Sequence, residues 1–180
     1  NSSKAVQDPL LYFEINVRVT LNLLLAAHQA KVKRVVMAST NLYGDAEVSI
    51  MSEDVPVLFL ERSVLSPYAA AKASAEAYLK VFNDEFGLPT VRLRYTNVYG
   101  PRQLTKSESG VVAIFTKCAL RNEPLTIFGD GLQTRDFIFV DDVVEANILA
   151  ALRDNAVGKV FNIGRGIETN IVQLARLILR

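Results

Sequence analysis

The alternation of helical and strand-like segments is the feature that most constrains the fold of this chain. Apolar residues fall at helical spacing over Asp8–Ala30, and a short β-branched run follows at Val32–Ser39. The same order returns further along, where a helix predicted over Tyr68–Phe86 precedes a strand predicted at Thr90–Tyr95. Repeated helix-then-strand order is typical of the crossover units that build a parallel sheet.

The C-terminal half continues this alternation. It predicts helices over Val111–Asn122 and Val143–Arg153 and short strands at Leu125–Phe128, Asp136–Val140 and Val160–Ile163. The strands are nearly all apolar, which is expected when helices cover both faces of a sheet. We therefore expect an α/β fold.

Charge and cysteine content exclude several classes of protein. The 180 residues carry 20 basic and 19 acidic side chains, so the net charge of +1 gives no reason to expect a nucleic acid or an anionic membrane as partner. The charge-free stretch Val19–Ala30 is shorter than the roughly 20 residues of a membrane span, so we expect none. One cysteine excludes a disulfide framework and fits a reducing, cytoplasmic setting, and His28 has no second ligand at metal-binding spacing, so we expect no metal.

Tyr68 and Lys72 are the first pair of residues whose spacing indicates a catalytic function. They stand four residues apart on a predicted helix and therefore share a face. Positive charge beside a phenol favours the phenolate, so we expect Lys72 to lower the pKa of Tyr68 from its ordinary value of about 10. Such a phenol is a usable base near neutral pH. The alternative is an amphipathic helix with an exposed lysine.

Polar residues end the two predicted strands that flank this helix. Ser39 and Thr40 close the first, and Thr96 and Asn97 follow the second. The carboxyl ends of parallel strands meet at one edge of a sheet, which is where ligands bind in such folds. We therefore expect these segments to converge on one crevice with Tyr68.

Four motifs, in order, carry a resemblance to a known family. They are STNLYG at Ser39–Gly44, SPYAAAK at Ser66–Lys72, LRYTNVYGPR at Leu93–Arg102 and GDGLQTRDFIFV at Gly129–Val140. Together they resemble the extended short-chain dehydrogenases/reductases, in the branch of NAD-dependent sugar-nucleotide epimerases and dehydratases. The resemblance implies a Rossmann-like doubly wound parallel sheet with a smaller α/β substrate-binding lobe. It also implies NAD as cofactor and a nucleotide sugar, most simply a UDP-sugar, as substrate.

The resemblance further implies roles for single residues. Tyr68 is the expected catalytic base and acid, Lys72 holds the nicotinamide ribose, and Ser39 relays the sugar proton, with Thr40 as the alternative relay. The expected contacts of the nicotinamide side are Tyr95, Thr96 and Val98. The expected substrate contacts are Asn97 and Arg135 at the diphosphate, and Val112, Thr126 and Phe128 at the base and its ribose.

The reaction is predicted from what stands after Ser39. The resemblance places the acid pair of a dehydratase at Thr40 and Asn41, and neither is a carboxylate. We therefore expect an isomerase that epimerises a UDP-glucose/UDP-galactose type of substrate at C4 through a 4-keto intermediate. The alternatives are a 4,6-dehydratase or decarboxylase of the same family, or an inactive nucleotide-sugar-binding fragment.

Domain limits and assembly follow from the same resemblance. Residues 1–103 are expected to be the C-terminal half of the NAD-binding Rossmann domain, and residues 104–180 mainly the substrate lobe, with 134–154 returning to the Rossmann domain. The family's glycine-rich phosphate turn lies ahead of this segment, and we interpret Gly164–Gly166 as a turn. A homodimer is expected through the two long helices, with Tyr78, Leu79 and Phe82 either at its interface or packed on the chain's own sheet.

Overall fold

A computed structural model describes residues 2–43, 51–55, 57, 66–104 and 110–180. Its helices are α1 (Ser2–Gln7), α2 (Pro9–Phe13), α3 (Val19–Gln29), α4 (Pro67–Glu85), α5 (Val111–Leu120), α6 (Val140–Leu152) and α7 (Ile171–Ile178). Its strands are β1 (Val35–Thr40), β2 (Thr90–Tyr95), β3 (Asn97–Tyr99), β4 (Thr134–Phe139), β5 (Val160–Ile163) and β6 (Glu168–Asn170). Helices and parallel strands alternate, so the predicted α/β class is confirmed.

The described residues divide into two compact units. Unit 1 comprises Asn1–Tyr95 and Ala146–Asn162, and unit 2 comprises Thr96–Glu145 and Ile163–Arg180. The predicted domain limits at 103 and 104, with 134–154 returning, stay a prediction.

The sheet of unit 1 has the strand order β1-β2-β5. Strands β1 and β2 run parallel, with Val35 opposite Thr90 and Thr40 opposite Tyr95. Both strands therefore end at the same edge of the sheet, which places Thr40 and the residues after it beside the end of β2.

Helix α4 covers this sheet and is well defined at both ends. The Ser66 hydroxyl accepts a hydrogen bond from the Ala69 amide at 3.2 Å, Pro67 occupies the first turn, and Gly87 follows the last turn at a φ of +64°. Its buried face joins α3 and β1 in one core, formed by Leu24, Ala27, Leu79, Phe82 and Leu88. Leu79 and Phe82 are thus packed inside the chain, whereas Tyr78 is 37% exposed.

A single helix of 21 residues spans Pro9–Gln29, and Glu14–Arg18 within it is π-helical. By length and composition alone it could cross a membrane, so the prediction that no stretch does so stays a prediction. That prediction counted only charge-free residues, whereas Glu14 and Arg18 pair across one helical turn. One such helix is weak evidence for a membrane, because apolar helices that pack on protein have the same composition.

Unit 2 contains the sheet β3-β4-β6, in which β3 and β4 are parallel and β4 and β6 antiparallel. Helices α5 and α7 pack on it through a core formed by Phe115, Phe137, Ile171, Leu174 and Ala175. Helix α7 begins with a capping box between Asn170 and Gln173, and Gly164–Gly166 precedes β6 as a turn.

Two local predictions in unit 2 need correction. Leu125–Phe128 does not form a strand, because Leu125 and Ile127 reach the core as an irregular segment without a ladder partner. Val140 begins α6 rather than ending β4. The short strands β3 and β6 were not predicted, since three residues carry too little periodicity.

Candidate active site

The four predicted catalytic residues gather at the end of β1 in unit 1. The Lys72 ammonium donates a hydrogen bond to the carbonyl of Ala38 at 3.0 Å. The hydroxyl of Thr40 lies near the phenol of Tyr68 and lowers the pKa of Tyr68 as a hydrogen-bond partner, and Ser39 stands between Ala38 and Thr40 on the strand. The structure therefore places the helix pair against the strand end, as the sequence predicts. Gly44 of the first motif lies outside the described residues.

The two strand-end hydroxyls have different partners. Thr40 contacts Tyr68, whereas the Ser39 hydroxyl donates to Glu76 Oε1 at 2.5 Å and is 5% exposed. Both partners lie on α4, with Tyr68 in its first turn and Glu76 eight residues further along. Of the pair, Thr40 is the one in contact with the phenol.

The pKa of Tyr68 moves opposite to expectation. Burial raises it above its ordinary value of 10.0, the hydrogen bond from Thr40 lowers it, and the nearby Tyr12 raises it. The expected lowering by Lys72 is therefore wrong for the protein without ligand. Its ammonium is directed at the Ala38 carbonyl, and a phenolate in this half-buried position would lose hydration.

Burial also lowers the pKa of Lys72, while the negative charge of Glu76 raises it. Glu76 lies on α4 four residues beyond Lys72 and eight beyond Tyr68, so the three side chains share one face of the helix. Glu76 was not among the site residues predicted from the sequence, although its spacing from Tyr68 and Lys72 is a signal that could have found it.

Glu76 forms a buried ion pair with Arg94 of β2. Arg94 Nη2 donates to Oε2 at 2.8 Å, and Arg94 Nε lies 3.1 and 3.2 Å from the two carboxylate oxygens. Glu76 is 4% exposed and Arg94 7%. A fork of this kind fixes a carboxylate in orientation as well as in charge.

The hydrogen-bond network continues from Arg94 of β2 through Tyr43 to Asn162 of β5. Arg94 Nη1 donates to the hydroxyl of Tyr43 at 2.8 Å, and that hydroxyl donates to Asn162 Oδ1 at 2.7 Å. The backbone amide of Asn162 donates to Glu53 Oε1, and its side-chain Nδ2 donates to the Met51 carbonyl. Residues after β1 are thus tied to β2 and β5 by polar contacts that the sequence did not reveal.

Tyr95, predicted on the nicotinamide side, is also bonded within unit 1. The Tyr95 hydroxyl lies 2.9 Å from Asn147 Oδ1, to which it can donate. Asn147 Nδ2 lies 2.7 Å from the Tyr95 hydroxyl oxygen, which can accept from it. Burial raises the pKa of Tyr95, and the contact with Asn147 lowers it.

The remaining predicted residues belong to unit 2. Thr96 is anchored to the Ile163 carbonyl through its amide at 3.0 Å and its hydroxyl at 3.3 Å, and the Val98 carbonyl accepts from Gln103. The exposed members of the set are Asn97, Thr126, Phe128 and Arg135. Val112 is partly buried and lines a cleft of about 690 Å³ whose basic residues are Arg102, Lys117 and Arg121.

Metal-binding residues do not cluster in the part of the chain that the structure describes. No group of three or more His, Cys, Asp or Glu side chains there could hold an ion.

Comparison with known proteins places these observations in one family. Residues 1–164 match the model of the NAD dependent epimerase/dehydratase family. The chain is 40% identical over 173 residues to the UDP-glucose 4-epimerase of Mycolicibacterium smegmatis, covering 95% of this chain and 53% of that protein. It is 35% identical over 167 residues to the human dTDP-D-glucose 4,6-dehydratase, covering 92% and 45%.

The fold agrees with a solved relative. The structure of the UDP-glucose 4-epimerase of Thermotoga maritima with UDP-glucose matches at a TM-score of 0.91 and 40% identity, covering 99% of this chain and 56% of that one. The chain therefore spans about half the length of the relatives it matches, and its fold is that of the Rossmann-type enzymes among them. With its ordered motifs, its strand-end site and these matches, the chain belongs to the NAD-dependent epimerase/dehydratase family.

Proposed function

We propose that this chain carries the proton-transfer residues of an NAD-dependent nucleotide-sugar 4-epimerase. The observation that carries the proposal is the placement of Tyr68 and Lys72 against the end of β1, where the Lys72 ammonium donates to the Ala38 carbonyl at 3.0 Å and Thr40 lies near the phenol. A base, a hydroxyl and a cation on a buried strand edge suit the removal of a proton from a sugar hydroxyl.

NAD is the cofactor of this family, and the residues fit it. A lysine ammonium has three donors, of which the Ala38 carbonyl takes one, so Lys72 can also reach ribose hydroxyls. When bound, NAD would supply the hydride acceptor and donor for the sugar carbon, and the positive charge of its ring would oppose the rise in the pKa of Tyr68 that burial causes.

In the proposed reaction Tyr68 takes the proton of the sugar 4-hydroxyl as hydride leaves C4, and it returns the proton to the C4 oxygen when hydride comes back to the opposite face of that carbon. Thr40, hydrogen-bonded to the phenol, is placed to pass that proton, and Ser39 offers a second hydroxyl on the same strand. Lys72 holds the cofactor ribose and supplies positive charge to the phenolate.

Epimerisation is favoured over dehydration by the strand-end positions that the structure describes, since Thr40 and Asn41 carry no carboxyl group. Thr40 and Asn41 stand where the resemblance places the acid pair of a dehydratase. The carboxylate of Glu76 is nearby, but Arg94 and Ser39 bind both of its oxygens. It is therefore not free to protonate a leaving hydroxyl, and this favours reduction of the keto-sugar over loss of water.

We propose further that unit 2 binds the nucleotide part of a UDP-sugar. A guanidinium suits a diphosphate, so Arg135 and Asn97 are assigned to the diphosphate, and Val112, Thr126 and Phe128 to the base and its ribose. These side chains are supported by the family resemblance and, except for Val112, by their exposure.

The decisive experiment is turnover of UDP-glucose or UDP-galactose by the intact gene product and by its Tyr68→Phe variant. Loss of the phenol should lower kcat by about 10²- to 10⁴-fold while NAD remains bound. Tyr78→Phe is the matched control, because it removes a hydroxyl from an exposed tyrosine of the same helix, and it should keep wild-type turnover. Equal activity of both variants would sink the assignment.

Product analysis separates epimerisation from the other reactions of the family. A mixture of the two C4 epimers supports the proposal, whereas a stable 4-keto-6-deoxy sugar identifies a dehydratase and a pentose a decarboxylase. Binding of UDP-sugar without turnover identifies a binding protein.

We also propose a cytoplasmic homodimer that uses the exposed apolar side of helix Pro9–Gln29. Leu11, Ile15, Val19 and Leu23 are each about half exposed there. If a second copy of the chain covers these side chains, the Leu23→Asp variant of the intact protein should have the mass of a monomer in solution, and the wild type that of a dimer. An unchanged mass assigns this surface to another part of the same polypeptide.

A further inference from the structure

The hydroxyl of Ser39 is held in one orientation by Glu76. The 2.5 Å separation between Ser39 Oγ and Glu76 Oε1 is that of a charge-assisted O–H···O⁻ hydrogen bond. A carboxylate can only accept, so the Ser39 hydrogen lies on this bond. The Ser39 oxygen can therefore take part in a further hydrogen bond only as an acceptor.

Glu76 is itself held on two rigid elements. It sits on α4, and the guanidinium of Arg94 on β2 binds both of its oxygens. Rotation of the carboxylate away from Ser39 would break the fork with Arg94 inside the protein. The orientation of the Ser39 hydroxyl is thus determined by the packing of α4 on β2.

We propose that Glu76 is a positioning residue that fixes Ser39 as a hydrogen-bond acceptor for the sugar hydroxyl and leaves proton transfer with Tyr68 to Thr40. The inference rests on the proposed epimerase function. The two adjacent hydroxyls would then have different roles, in which Ser39 orients the substrate and Thr40 exchanges the proton with the phenol.

The electrostatics around Lys72 agree with this role. Burial lowers the pKa of Lys72, and the negative charge of Glu76 raises it. Glu76 therefore also favours the cationic form of the residue assigned to the ribose.

The competing explanation is that Glu76 only balances the buried charge of Arg94. Two paired variants separate these roles, since both remove the ion pair. Glu76→Met/Arg94→Met leaves no acceptor for Ser39, whereas Glu76→Gln/Arg94→Met keeps an amide oxygen there. Replacing both partners of a buried pair avoids the penalty of an unpaired charge, so both variants are expected to fold.

Measured in the intact protein, Glu76→Gln/Arg94→Met should have a kcat about 10- to 100-fold above that of Glu76→Met/Arg94→Met, because loss of orientation at a reacting group costs that order of rate. KM for the nucleotide sugar should differ much less. In a Ser39→Ala background the two variants should have the same kcat. Equal kcat values with Ser39 present, or an undiminished difference without it, would overturn the proposal.

A measurement without turnover tests the same contact. In the ¹H NMR spectrum of the wild-type protein, the buried Ser39 hydroxyl should give a slowly exchanging downfield resonance that Ser39→Ala removes. Absence of this resonance overturns the proposal, whether or not the paired variants fold. If it is present but the wild-type protein epimerises no sugar, the proposed function fails while the fixed hydroxyl stands.

Discussion

Arg94 in unit 1 and Arg135 in unit 2 show how differently the two units treat polar groups. Arg94 is 7% exposed, and its donors reach Glu76 and Tyr43. Arg135 is exposed, and its described hydrogen bond is to the carbonyl of the adjacent Thr134 at 2.7 Å. One guanidinium is part of the protein interior, and the other is open to solvent.

The difference reflects what each unit has to hold in place. Side chains that move a proton must be aligned before the substrate arrives, and buried hydrogen bonds provide that alignment. A diphosphate supplies its own oxygens, so a residue that binds it can stay solvated until then. Unit 1 is therefore organised in advance, and unit 2 presents an open surface.

The largest expected effect that tests this comparison is on stability. Arg94→Met removes the ion-pair partner of Glu76 and leaves the charge of a buried carboxylate uncompensated. This should lower the free energy of unfolding by about 3–5 kcal/mol. Arg135→Met removes a surface charge and should stay within about 0.5 kcal/mol of wild type. Chemical denaturation of both variants measures the contrast. Similar losses would mean that the two arginines are structurally equivalent.

The next expected effect is on substrate binding, where Arg135 should matter although it contributes little to stability. Arg135→Met should raise KM for the nucleotide sugar about tenfold or more, since a hydrogen bond to a charged group contributes about 1.5–3 kcal/mol. Its kcat should change far less, because Arg135 is assigned to the diphosphate and not to the reacting carbon. Steady-state kinetics of the intact protein checks this, with the exposed Arg176→Met of α7 as the matched control. A fall in kcat at constant KM would contradict the assignment of unit 2.

The sequence predicted unit 1 well where the signal was periodic. Helix α4, strand β2 and the juxtaposition of Tyr68 with Lys72 follow from helical spacing and from β-branched runs. The same spacing extends to Glu76, but its partner Arg94 lies 18 residues away on a strand. Only the packing of α4 on β2 brings these two together.

What could not be predicted depended on burial and on packing. The sign of the Tyr68 pKa shift is set by desolvation, which outweighs the hydrogen bond from Thr40 and cannot be read from the sequence. Which strand-end hydroxyl lies near the phenol depends on how α4 packs against β1, so Ser39 and Thr40 could not be told apart. In unit 2, an apolar segment at Leu125–Phe128 looked like a strand but has no ladder partner.

Matched helix caps give a smaller test of the two units. Ser66→Ala removes the acceptor for the Ala69 amide in unit 1, and Asn170→Ala removes that for the Gln173 amide in unit 2. Each should cost about 1 kcal/mol in the free energy of unfolding, because local capping does not depend on the surrounding core. Ser66→Ala alone should also lower kcat, since α4 carries Tyr68. A loss of kcat with Asn170→Ala of the same size would show that the caps do not separate the units.

The smallest effect is the pH dependence of stability that Tyr68 contributes. Because burial raises its pKa above 10.0, the phenol ionises in the unfolded chain at a lower pH than in the folded one. The contribution is fully present below the unfolded value and is lost as pH rises through 10.0 toward the folded value. The difference in unfolding free energy between wild type and Tyr68→Phe isolates it, since the opposite trend of Lys72, whose pKa is lowered, is present in both proteins. Wild type should lose stability relative to Tyr68→Phe above that pH, and Tyr78→Phe serves as the exposed control. A relative gain there would mean that the lysine, and not burial, governs the phenol.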